Sequence, residues 1–181
     1  MIEIITYQER WKEEFEVIAK QLRAGLGDLA LRIDHIGSTS VPGLAAKDII
    51  DVQVTVERLE PSLIPLITNL NFEHVPYYQD HQPPGYPTAT DEWLKFFFHT
   101  SQPRRVNLHV RVVGKANQRY ALLFRDYLRS HPASVAAYAE LKRGLAAHLT
   151  ELRTYSDVKD PAVDLIAIAA EAWAVQTNWQ M

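Results

Sequence analysis

Trp11, Phe15, Ile18 and Leu22 recur at spacings of three and four with charged residues between them, which predicts a helix over residues 8–25. Gly25 and Gly27 are its expected stop. The period then changes. In "IIDVQVTV", Ile50, Val52, Val54 and Val56 fall on one face of a strand, and Asp51, Gln53 and Thr55 fall on the other. Residues 31–36 and 49–56 read as strands joined by "GSTSVPGLAAKD", a segment dense in turn residues. A short helix is expected over 61–70, a short strand in "FEHVPYY", and a long loop over 78–91, a length often tied to function. "WLKFFFHT" and "VNLHVRVV" read as an antiparallel hairpin around "SQPRR". "NQRYALLFRDYLRS" is helical up to His131, and Pro132 suits the first turn of the next helix. A last helix is expected in "DPAVDLIAIAAEAWAV", with Asp160 as N-cap and Pro161 at the first helical position. The expectation is one α+β domain over 1–181: a mixed or antiparallel sheet of four to five strands with flanking helices and a helical C-terminal layer.

Composition narrows the class. A chain of 181 residues, 47 % hydrophobic and 23 % charged, has globular proportions and can bury a full core. A net charge of −3 gives no strong nucleic-acid signal. The absence of cysteine excludes disulfides, thiolate zinc sites and cysteine nucleophiles. "MIEIITYQERW" does not read as a signal peptide, and "VDLIAIAAEAWAV" is broken by Asp164 and Glu171 and too short to span a bilayer. The expected setting is the bacterial cytoplasm, without a membrane partner.

Three groups of residues can carry chemistry. The first is the loop Gly37, Ser38, Thr39 and Ser40, with Lys47 downstream. Glycine lets a backbone approach phosphate oxygens, hydroxyls add neutral donors and lysine adds a point charge. A plain turn rich in Gly, Ser and Pro has the same composition. The second is Asp51, a carboxylate on the polar face of a strand, where aspartate is depleted. If that face meets the loop, Asp51 can hold a divalent metal, Mg²⁺ or Mn²⁺, that bridges to a phosphate. The alternative is a solvated aspartate. The third is a scattered set. His35 and His109 are candidates for phosphate contact or acid–base work, against a structural role as donors to backbone carbonyls. Lys95 lies on the hairpin; Tyr138 and Lys142 share a helix face at i, i+4. Arg125 and Asp126 are adjacent and are expected on different faces rather than paired, leaving Arg125 to a salt bridge elsewhere or to a ligand. Phe97 must face away from Phe96 and Phe98; core on both sides is expected, a base-stacking surface being the alternative. Tyr77, Tyr78 and Tyr86 flank or occupy the long loop and can cover a ligand.

A glycine-serine turn after a strand, followed by a strand bearing an acid, is similar to the nucleotidyltransferase superfamily of DNA polymerase β type. More closely, "DHIGSTSVPGLAAKDIIDVQV", "VNLHVRV", "LLFRDYLRSHPASVAAYAELKRGLA" and "YSDVKD" resemble the GrpB-like family over residues 5–175. That resemblance implies a nucleotidyltransferase-like fold, a nucleotide or other phosphorylated small molecule as partner, and a link to dephospho-coenzyme A kinase, to which members are sometimes fused. Taken with the residue chemistry above, the candidate phosphate-contacting set is Gly37, Ser38, Thr39, Ser40, Lys47, Lys95, His109, Arg125 and Lys142, with Asp51 as the candidate catalytic residue and Asp51, Gln53 and His109 as candidate metal ligands. The chain departs from an active nucleotidyltransferase at Gln53, where a second carboxylate would stand, and in "VNLHVRV", which offers Asn107, His109 and Arg111 but no acid. Two readings follow: a nucleotidyltransferase with an incomplete metal site, or a non-catalytic nucleotide or coenzyme A-type binding or accessory module of the same fold. A metal-dependent hydrolase would need His35, His109 and Asp51 to converge.

Overall fold

The computed structural model describes residues 2–181. Helix α1 (Arg10–Leu26) precedes strands β1 (Arg32–Ile36) and β2 (Ile50–Val56), followed by the short helix α2 (Leu63–Thr68) and β3 (Glu73–Val75). After the long loop come β4 (Phe96–Thr100) and β5 (Val106–Val112), then three helices, α3 (Ala116–Ser130), α4 (Pro132–His148) and α5 (Leu152–Thr177). The five strands form one sheet in the order β1-β2-β5-β4-β3. Among the described residues only the β2–β5 pair is parallel; it sets Asp51 beside Asn107 and Gln53 beside His109. The α+β expectation therefore holds, with a five-stranded mixed sheet.

Two cores sit on opposite sides. Ile50, Val52, Val54 and Val56 join Leu108, Val110, Phe96 and Phe98 beneath Trp11, Phe15, Ile18 and Leu22 of α1. The C-terminal helices make their own cluster around Leu123, Leu128, Tyr138, Ala139, Ala170 and Ala174. The polar face of the sheet looks toward this second layer, which creates the site.

Two boundaries differ from expectation. Gly25 stays inside α1, and the helix ends at Gly27, whose φ of 53° is the left-handed conformation glycine tolerates best. Asp160 is not an N-cap. Helix α5 begins at Leu152 and runs through Pro161, because Tyr155, upstream of the proline, is fully buried and anchors the first turns.

Candidate functional site

A cavity of about 480 Å³ lies between the polar face of the sheet and helices α4 and α5. Its first wall is the turn after β1. Gly37, at φ 67°, passes directly over Asp51; a Cβ there would collide with the Asp51 carboxylate. The following residues make a tight turn, Ser38–Ser40, in which the amides of Ser40 and Val41 bond to the carbonyls of Gly37 and Ser38. The three hydroxyls then diverge. Ser40 Oγ donates to the Gly37 carbonyl at 2.6 Å. Thr39 Oγ1 pairs with His35 Nε2 at 3.0 Å. Ser38 alone presents its hydroxyl to the cavity, where Lys142 Nζ donates to it at 2.9 Å.

Lys142 comes from α4 and is 3 % exposed. Burial, then the charges of Lys159 and Lys47, push its ammonium down to about 7, against the pull of Asp51. Lys47 rests over the Tyr155 ring at 5.2 Å, and Lys159 lies one helical turn beyond Tyr155. Burial also lowers Lys47. Three lysines thus line the same part of the cavity wall, with Asp51 near Lys47 and Lys142 and Asp160 paired with Lys159 at 3.3 Å. Burial pushes the Asp51 carboxyl up, outweighing the 2.9 Å hydrogen bond it accepts from Asn107 and the nearby charge of Lys47.

The far end of the cavity is a closed polar network. Asp80, from the long loop, accepts from Lys95 at 2.6 Å and from Arg111 at 2.8 Å. Burial acts to raise the Asp80 carboxyl, but Arg111 and Lys95 outweigh it and hold it below the usual carboxylate range. Arg111 also donates to Gln53 Oε1 at 2.6 Å. His109 Nδ1 lies 3.2 Å from Lys95 Nζ and 3.4 Å from an Arg111 nitrogen. Burial first, then these two cations, lower the His109 pKa, which keeps the ring neutral with Nδ1 as acceptor.

The predicted residues therefore divide. Gly37, Ser38, Thr39, Lys47, Asp51, Lys95, His109 and Lys142 line the cavity. Ser40 and Arg125 do not. Arg125 chelates its neighbour Asp126 at 2.7 and 3.2 Å and donates to the His35 carbonyl, tying α3 to β1. Adjacent side chains reach each other here because the long guanidinium arm folds back over the helix, correcting the expectation that they diverge. His35 stacks on Phe15 of α1 at 4.7 Å, and burial pushes its pKa down to about 3, so it serves the core side rather than the ligand. Phe97 faces the cavity, correcting the expectation of core on both sides. Tyr77 also lines it, 4.9 Å from Lys95 Nζ, whereas Tyr78 packs on Phe96 and Tyr86 on Trp93.

The metal set Asp51, Gln53 and His109 does not fit a divalent cation held by the protein. The Gln53 oxygen is committed to Arg111, and His109 Nδ1 faces two cations, leaving Asp51 by itself. Among the described residues no three His, Asp or Glu side chains form a metal-holding group, so His35, His109 and Asp51 do not converge. Sequence reasoning passed over Asp80, Tyr155 and Lys159. Asp80 had one signal, an acid within an aromatic-rich long loop; Tyr155 and Lys159 share a helix face at i, i+4.

The sequence model described as "GrpB protein" matches residues 1–168. The chain belongs to the GrpB family. The "UPF0157 protein BH1888" of Halalkalibacterium halodurans is 33 % identical over 174 residues, covering 94 % of this chain and 83 % of that protein. A "Dephospho-CoA kinase" of Mycobacterium leprae is 32 % identical over 200 residues, covering 98 % of this chain but 48 % of that protein, so the chain spans about half of it. Among solved structures, the "conserved protein GrpB from Enterococcus faecalis" superposes with a TM-score of 0.75 at 30 % identity, covering 94 % of this chain and 99 % of that one. Among the described residues no helix is long and apolar enough to cross a membrane.

Proposed function

We propose that the cavity binds a nucleotide or another phosphorylated small molecule, with phosphates against Ser38 and the ammonium groups of Lys47, Lys142 and Lys159. One observation carries this reading: Lys142 is buried and, among the described residues, makes no salt bridge to a carboxylate, while Lys47 and Lys159 lie near it. A buried cation without a counter-ion is costly, and an anionic ligand supplies the missing charge. Phe97 and Tyr77 give the opposite end aromatic surface for a base or another flat group.

The reading stops at binding. Gln53 and Asn107 stand where nucleotidyl transfer would want a second and third carboxylate, and Asn107 instead donates to Asp51. Any Mg²⁺ or Mn²⁺ would arrive on the ligand's phosphates and meet Asp51, since Asp80 is held by Lys95 and Arg111 and Asp160 pairs with Lys159. A second reading, an accessory module to a dephospho-coenzyme A kinase, is favoured by relatives of that name in which this chain matches about half the length.

A thermal-shift panel tests both: ATP, CTP, GTP, UTP, dephospho-coenzyme A and coenzyme A, each with and without Mg²⁺ or Mn²⁺. A ligand that binds only the native state raises Tm. The expected result is a shift with at least one phosphorylated ligand that disappears in Lys142→Met. A shift that requires metal and is lost in Asp51→Asn would restore the transferase reading. No shift with any of the six would overturn phosphate binding.

A further inference from the structure

The pair Ser38 and Lys142 has more capacity than phosphate binding uses. Ser40 and Thr39 spend their hydroxyls within the turn and on His35, whereas the hydrogen bond of the Ser38 hydroxyl comes from Lys142, 104 positions along the chain. The charged groups nearest Lys142 are Lys47 ahead of β2, Asp51 on β2, Lys159 on α5 and Arg143 on its own helix, three of them cationic; Asp160 of α5, paired with Lys159, lines the same cavity, and the Tyr138 ring lies 4.6 Å from Nζ. With its ammonium pushed down to about 7, a substantial fraction of the protein carries a neutral amine there at neutral pH. An amine within hydrogen-bond reach of a hydroxyl is a base placed to activate it, and serine–lysine pairs serve this role on unrelated folds. Ser38 also opens a tight turn directly after a left-handed glycine and faces the cavity.

We propose that Ser38 is a nucleophile, Lys142 its general base, and that together they take a phosphoryl group from the ligand and pass it to water. This rests on the phosphate site proposed above. Oγ of Ser38 attacks phosphorus, and its proton moves to Nζ of Lys142. The bond from phosphorus to the leaving oxygen breaks, and that oxygen takes the proton from the Lys142 ammonium. Water then attacks the phosphoserine, yields a proton to Lys142, and inorganic phosphate leaves as Lys142 returns that proton to Oγ. Lys47 and Lys159 face the non-bridging oxygens, where charge concentrates during transfer. The net reaction is hydrolysis of a phosphate ester or anhydride.

Diisopropyl fluorophosphate probes the nucleophile without knowledge of the ligand: the serine O–P bond forms as P–F breaks and fluoride leaves. Intact mass is expected to show one adduct per chain, mapped to Ser38 and absent in Ser38→Ala. Labelling should slow about a hundredfold in Lys142→Met. Its rate in the native protein should rise between about pH 6 and pH 8, a profile the variant lacks. Lys142→Arg, which keeps the positive charge but cannot act as a base, should also resist labelling, and it stands in if Lys142→Met does not fold. The proposal is overturned if the native protein stays unlabelled while trypsin in the same reagent reacts to completion. It is equally overturned if both Lys142 variants label at the native rate. The nucleotide shift in Tm separates the two failures: a shift without an adduct removes only the nucleophile, and no shift removes the phosphate site.

Discussion

The Asp80 carboxylate and the Arg111 guanidinium meet at 2.8 Å, with side chains 15 % and 6 % exposed, and so lock the long loop onto a central strand of the sheet. Lys95 shares the same carboxylate. One acid therefore fixes two buried cations and, through them, the neutral state of His109. The site's far wall depends on this one side chain.

Asp80→Asn should destabilise the protein by about 3–5 kcal/mol, since it leaves two buried cations without their charge partner. The pH dependence has a definite sign. The folded Asp80 carboxyl sits below its unfolded value of about 4, so its contribution is complete above that pH and is lost on acidification toward the folded value. Urea denaturation between about pH 2 and pH 7 should show native stability falling on acidification more steeply than that of the variant.

Lys142 has the opposite linkage. Its folded pKa, about 7, lies below the unfolded one, so between about pH 7 and pH 10 the unfolded chain binds more protons. Stability should rise with pH across that window relative to Lys142→Met, by up to about 1.4 kcal/mol per pH unit. A flat difference between the two proteins would mean that the lysine stays charged in the fold.

Gly37→Ala faces two penalties: a left-handed φ, worth about 1–2 kcal/mol for a residue with a Cβ, and collision with the Asp51 carboxylate. Its Tm should fall markedly, and any ligand-induced shift should vanish as the turn moves off the cavity. Adding Asp51→Gly, which removes the Asp51 Cβ 2.8 Å away along with the carboxylate, should recover the collision part and leave the backbone part.

Phe97 and Phe98 make a matched pair of tests. Phe98 is fully buried in the core, and Phe98→Ala should cost about 3–5 kcal/mol. Phe97 lines the cavity, so Phe97→Ala should cost less stability and more ligand affinity. Equal losses of stability in urea would place Phe97 in the core after all.

Alternation along residues 50–56 is enough to put Asp51 and Gln53 off the core face, because a period of two leaves no other arrangement. What alternation does not show is that the second face is also covered. Gln53 and Thr55 are fully buried, and Arg111 reaches Gln53 from 58 positions away, which no local pattern encodes. Gly37 and Ser38 were legible as a tight turn next to Asp51, but the division of labour among Ser38, Thr39 and Ser40 is decided by tertiary partners, Lys142 and His35 among them. Pro161 misled for a related reason: a local helix-start signal yielded to the burial of Tyr155.

The parallel seam between β2 and β5 has a consequence for how the chain assembles. Strands β1 and β2 are consecutive in sequence, as are β3, β4 and β5, so each half of the sheet pairs neighbouring strands, although the long loop intervenes between β3 and β4. Joining the halves brings together Asp51 and Asn107, 56 positions apart, and the residues beyond Val112 then cover the seam. Such long-range closure is slow relative to hairpin formation. On a ribosome, a chain halted ahead of Val106 holds Ile50, Val52 and Val54 in an unpaired edge, and no cavity exists until the seam shuts. Assembly of the cavity and completion of the sheet are one event, so a ligand that spans the seam holds closed the joint on which its own site depends.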